Sequence, residues 1–220
     1  MRLSAEEALA LARTAVELTT ADEAEVVVTS GDSALTRFAG NRIHQNVAET
    51  NTQLTVRAVI GTRSGVASTN VLDRASLERC AARAAAAAGH APQDPSFPGL
   101  PGGAYELLPG RDTRGAEAYD AAHRAHAAAA IIAPSAAQGL TAAGTVAQNL
   151  YSLAVANSHG TARATSAGDV RATVLTMGAT GGSGWASWLG ADTTGFDASG
   201  MGAHAAEIAA RAAEPAPLDP

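Results

Sequence analysis

An α+β fold, with helices packed on mostly antiparallel sheets in two subdomains, follows from three features of the 220-residue sequence. Apolar residues at helical spacing alternate with β-branched runs of period two, and no strand is regularly followed by a crossover helix. A Pro- and Gly-rich stretch divides two halves of similar outline. The boundaries this predicts are an α+β domain over 1–90, a linker over 91–114, a second α+β domain over 115–214 and a truncated linker over 215–220.

The first helix opens on Ser4 with Glu7 three residues on, a capping box, and Leu3, Ala8, Leu11, Ala15 and Leu18 share one face. From Ala24 the period becomes two. Val26 to Thr29, the turn Ser30-Gly31-Asp32-Ser33 and Ala34 to Ala39 predict a hairpin. Gly40-Asn41 predicts a second turn, followed by strands over Ile43 to Glu49, Gln53 to Ile60 and Arg63 to Ser68. Asp73 caps a helix running to about Ala88. Pro92, Pro95, Pro98, Pro101 and Pro109 then exclude regular structure up to Gly110. A third helix over Ala116 to Ile132 is expected to stop at Pro134, with strands over Gly139 to Gln148, Leu150 to Ala156 and Thr161 to Met177. Gly178 to Gly184 reads as a flexible hairpin or loop, and Asp197 to Ala213 as an Ala-rich helix ahead of a tail with three prolines in six residues.

A chain of this length removes roughly 70% of its unfolded surface from water. Aromatics are 4% of it, so the core is expected to be Ala, Val and Leu, with Phe38, Phe97, Trp185, Trp188 and Phe196 as bulky anchors. All 15 basic residues are Arg, which excludes lysine Schiff bases and a P-loop lysine. Net charge −6 with scattered Arg argues against nucleic acid as a direct partner. The single Cys80, the acidic N-terminus and the absence of a long apolar run predict a cytoplasmic protein that does not enter a membrane.

No complete catalytic set emerges. His123 and His126 lie one helical turn apart near Glu117 and Asp120, but without a His-Glu-x-x-His string they read as a solvated face. Ser158-His159 lacks a nucleophile elbow and reads as turn chemistry, and Gly200-Met201-Gly202 is no dinucleotide fingerprint. Arg57 interrupts an apolar strand and reads as an exposed face or a carboxylate contact, while Cys80 reads as a small buried hydrophobe.

Three stretches occur in order: Leu35-Thr36-Arg37-Phe38-Ala39-Gly40-Asn41-Arg42-Ile43-His44-Gln45, then Val56 to Asn70 with Leu72-Asp73, then Leu153-Ala154-Val155-Ala156-Asn157-Ser158-His159-Gly160. Together with Gly182 to Trp185 and the final Ala-rich helix they resemble the TldD/PmbA family, once called modulators of DNA gyrase. The resemblance implies a cytoplasmic bacterial protein whose relatives are zinc metallopeptidases acting on peptides or unfolded proteins, commonly as pairs of similar subunits. It also implies that the His-Glu-x-x-x-His zinc helix lies in a C-terminal domain. This sequence contains no His-Glu dipeptide, so no catalytic residue and no metal ligand carries over, and zinc is not expected in this chain.

The expected function is therefore the N-terminal and central portion of such a protein, shaping a peptide tunnel and a subunit interface without hydrolysing peptides by itself. The alternative is a non-catalytic or regulatory subunit that binds a full-length TldD-like peptidase. Expected partners are a peptide or unfolded-protein substrate and a TldD-like or PmbA-like subunit, as homo- or heterodimer; for the front portion of a longer protein, an apolar surface is expected where the family's central strands would continue into a C-terminal half. Arg57, Asn70 and Asn157 are the candidate peptide contacts, because Arg and Asn offer the donors that carbonyls of an extended peptide need, with structural turn roles as the alternative for the two asparagines.

Overall fold

The computed structural model describes residues 2–102 and 113–213; the second part of the linker and the Pro-rich tail lie outside them. The first half of the chain runs α1 (Ala5–Glu17), β1 (Glu23–Ala39), β2 (Arg42–Ile60), β3 (Arg63–Thr69) and α2 (Arg74–His90). The second runs α3 (Arg114–Glu117), α4 (Ala121–Ala137), β4 (Thr141–Asn157), β5 (Ala162–Met177), β6 (Ser183–Gly190) and α5 (Ala198–Arg211). Leaving aside the single turn of α3, each half is α-β-β-β-α. The strands form one antiparallel sheet in the order β3-β2-β1-β4-β5-β6, and the fold is α+β as the sequence predicts.

Residues group into two compact units that do not follow the halves of the chain. The first holds Met1–Asp32, Thr50–Gly110 and Tyr151–Ala167, and the second holds Ser33–Glu49, Arg111–Leu150 and Gly168–Pro220. Each unit thus takes a hairpin tip from the other half of the sequence.

In the first unit, Ala8, Ala12 and Ala15 of α1 and Leu77, Cys80, Ala84 and Ala88 of α2 bury against Val26, Val28, Leu54, Val56 and Ala58. Alanine-lined helices can approach closely. Gly65 carries this further, since a Cβ there would overlap Ala88 N and Ala84 O of α2. The second unit repeats the device, because a Cβ on Gly184 of β6 would overlap Ala205 O and Ala209 N of α5. Its core joins Phe38, Val146, Val170 and Val174 to Ala128, Ile131 and Ile132 of α4. Trp188 stacks on Phe196 at 4.5 Å between centroids.

Local signals held where the chemistry is local. Ser4 accepts from Glu7 N at 3.1 Å while Glu7 accepts from Ser4 N at 2.7 Å, and Asp73 accepts from Ser76 N at 2.8 Å. Five expectations are corrected. Ser30 to Ser33 does not turn but stays inside β1, because Ser30 bonds Thr52 at 2.7 Å and Asp32 accepts from Thr50 at 2.6 Å across the ladder. The two strands expected over 43–60 are one, β2, and those expected over 139–156 are one, β4. Pro134 lies within α4, in its final turn, where its missing N–H removes a single bond and the helix continues to Ala137. Trp185 is not a core anchor: strand alternation sends it outward, 59% exposed.

Candidate peptide-contact site

Alternation on β1 and β2 turns Glu23, Glu25 and Arg57 away from the helices. Arg57 Nη1 lies 4.0 Å from Glu25 Oε1, and the Phe97 ring sits 5.2 Å from the guanidinium carbon. At this half-exposed position the ion pair contributes at most ~1 kcal/mol, and the ring contact about as much. Arg57 therefore holds a strap, the segment 97–102, onto the sheet.

The same strap is pinned twice more. Leu100 N donates to Glu23 Oε2 at 2.6 Å, and His159 Nε2 lies 3.2 Å from that same oxygen. Pro101 O accepts from Asn157 Nδ2 at 2.7 Å and from Thr161 Oγ1 at 3.0 Å. Asn157 is 6% exposed, and its Oδ1 also accepts from His159 N at 3.0 Å and Thr161 N at 2.9 Å. Both ends of its amide are thus engaged within the β4–β5 turn and the strap. Ser158 Oγ accepts from Ala24 N at 3.0 Å, which ties this turn to β1.

Asn70 stands apart. It lines an open groove of about 280 Å³ with Asn51, Gln53, Ser68 and Thr69. The groove exists because β3 is short: its register on β2 runs from Ile60↔Arg63 to Leu54↔Thr69 and goes no further. Beyond Leu54, β2 has no partner strand on that side among the described residues. Its backbone N–H and C=O groups there are a template for an added strand. Three side-chain amides and two hydroxyls flank that edge, all able to donate or accept. The structure thus brings Arg57 and Asn157 together on the strap and places Asn70 in a separate groove.

Elsewhere the chemistry is structural. Asp120 caps α4, accepting from His123 N at 3.0 Å, and its other link is to His123 Nδ1 at 2.8 Å. These bonds hold the Asp120 carboxyl below its ordinary pKa. No three His, Cys, Asp or Glu side chains gather as a metal site among the described residues. Arg124 is the one strongly buried cation described, 3% exposed; it donates to Gln148 Oε1 at 3.1 Å and Tyr119 O at 3.3 Å, with no carboxylate bonded. Burial lowers its pKa, against the opposing charges of Asp120 and Tyr119. Burial raises the pKa of Tyr119, with Arg124 acting the other way. Sequence reasoning did not find Asn51, Gln53, Ser68 or the strap, because each depends on where β3 ends and what lies across the sheet. Pro98 and Pro101 were the available signal for an extended strap.

The geometry defines a class: an α+β protein with its helices packed on one sheet and a polar groove beside a free strand edge. Residues 24–88 match the family model described as PmbA/TldA metallopeptidase domain 1. Three solved structures share the fold. TldE from Thermococcus kodakarensis aligns at TM-score 0.79 with 17% identity, over 93% of this chain and 47% of that one. A modulator of DNA gyrase from Bacteroides thetaiotaomicron, so described with the qualifier that its role is inferred, aligns at 0.77 with 15% identity, over 92% and 49%. A similarly described protein from Thermotoga maritima aligns at 0.70 with 15% identity, over 86% and 44%. The chain thus spans about half the length of these structures. A comparison with curated protein sequences finds no match. No helix among the described residues is long and apolar enough to cross a membrane.

Proposed function

We propose that this chain is the N-terminal and central portion of a TldD/PmbA-like metallopeptidase-family protein, cytoplasmic, which shapes the peptide path and a subunit interface and does not hydrolyse peptides by itself. The observation that carries the reading is the match of residues 24–88 to the family's first domain. The groove at Asn70 supports a peptide as the ligand, because an extended backbone can bond the open edge of β2 while amides on both sides bond its flanks. Zinc belongs, in this reading, to a separate catalytic domain of the family.

A second reading is a non-catalytic subunit that binds a full-length TldD-like peptidase. Fluorescence anisotropy of a labelled unstructured peptide separates the two. The first reading predicts binding by the chain alone, weakened about fivefold in Asn70→Ala for the loss of one hydrogen bond. The second predicts binding only in a complex that co-elutes with a TldD-like subunit. Neither peptide binding nor co-elution would refute both.

A further inference from the structure

The strap, residues 97–102, is held to the first unit as a bound peptide is held. Pro98 and Pro101 have no N–H to satisfy, and Gly99, at φ +85, turns the chain over Glu23. A Cβ on Gly99 would stand 3.5 Å from Glu23 Oε1. Leu100 is buried, and the described hydrogen bonds of Leu100 and Pro101 come from side chains alone. The Glu23 carboxylate takes the Leu100 N–H, the Asn157 amide and Thr161 hydroxyl converge on the Pro101 carbonyl, and the Arg57 guanidinium covers the Phe97 ring. These four side chains come from β1, β2 and the β4–β5 turn, all within the first unit. The stretch just before the strap is held differently. Pro92 to Ser96 is exposed throughout, and a backbone bond from Asp94 N to Thr62 O at 3.1 Å anchors it to the β2–β3 turn.

We propose that these four side chains form a recognition site for a proline-rich segment of the pattern Phe-Pro-Gly-Leu-Pro, and that the chain's own strap occupies it as an internal competitor. The site reads one N–H and the carbonyl of the next residue, groups that another chain of the same pattern presents in the same way. An aromatic ring against Arg57 and a buried leucine supply the selectivity. The two prolines fix φ beforehand, so such a segment loses little conformational freedom on binding. Because the strap is covalently tethered, it faces the site at an effective concentration on the order of 1 mM. A segment in trans is therefore taken up only when it outcompetes the strap, which makes the strap an autoinhibitory contact. The proposal assigns Arg57 and Asn157 to one peptide-holding site. The groove at Asn70 takes no part in it, so this site stands or falls apart from the peptide reading above.

Anisotropy of a labelled synthetic peptide with the sequence of residues 96–102, Ser-Phe-Pro-Gly-Leu-Pro-Gly, tests it. The full chain carrying Phe97→Ser and Leu100→Ser frees the site and binds the peptide. The unaltered chain binds it at least ~10-fold more weakly, because its strap competes. Glu23→Ala added to the freed chain weakens binding about 10-fold, for the loss of one charge-assisted hydrogen bond. Asn70→Ala added instead leaves it unchanged, and a scrambled peptide binds at least ~10-fold more weakly than the ordered one. Should the double variant fail to fold, hydrogen exchange on the unaltered chain decides: the ordered peptide in excess over the strap's effective concentration speeds exchange at the Leu100 amide, and the scrambled one does not. No binding by the freed chain, equal affinity of the freed and unaltered chains, equal affinity for the scrambled peptide, or a Leu100 amide indifferent to the peptide would overturn the proposal.

Discussion

Replacing Asn157 with alanine separates a structural role from a ligand contact at the most heavily bonded candidate residue. The substitution removes three hydrogen bonds around a residue that is 6% exposed. Thr161 N is buried and would be left without its acceptor, at a cost of about 1–3 kcal/mol. His159 N is partly exposed and loses nearer 0.5–1 kcal/mol. Pro101 O keeps its bond from Thr161 Oγ1, so its loss is about 0.5 kcal/mol. Together these give roughly 3 kcal/mol for Asn157→Ala, read as a shift in the urea midpoint at unchanged slope. The strap should loosen as well, with faster amide exchange at Leu100 and proteolytic cleavage near Phe97. A loss below about 0.5 kcal/mol, or a stable protein that has merely lost peptide affinity, would refute the structural assignment.

Three further outcomes are expected. Gly65→Ala forces a methyl into the α2 backbone and destabilises by about 2–3 kcal/mol, whereas Gly89→Ala, with open space around it, is neutral or stabilising by up to ~1 kcal/mol; parallel urea melts compare them. Hydrogen bonds from Ser76 hold the Asp73 pKa below its ordinary 3.8, so its contribution is full above that value and is lost as pH falls through the depressed one. Thermal melts from about pH 6 to about pH 3 should lose part of their acid slope in Asp73→Asn, which keeps the cap. Arg124→Met removes a buried cation that no carboxylate bonds, and should change stability by less than ~1 kcal/mol, while Ile131→Ala costs about 2–5 kcal/mol.

Capping was readable because Ser4 and Glu7, or Asp73 and Ser76, meet within one turn of helix. Strand continuity was not. The run Ser30 to Ser33 has the composition of a turn, and only its bonds to Thr50 and Thr52 across the ladder keep it extended. Strand β6 was hidden for a related reason: its glycines look like loop until α5 is seen lying on Gly184. Asn70 and Asn157 were visible as donors in turn-like sequence, but their surroundings were not. Asn157 meets Pro101 from 56 positions away, and Leu100 meets Glu23 from 77. Family resemblance bridged that gap because an ordered set of short stretches records a fold that no single stretch encodes.

The central claim is that this chain handles peptide or partner without cutting. Its most direct test is mass spectrometry of an unstructured peptide incubated with the purified chain, with added zinc and with a chelator. The account predicts an intact peptide in both samples. New termini that appear with zinc and vanish with the chelator would contradict it.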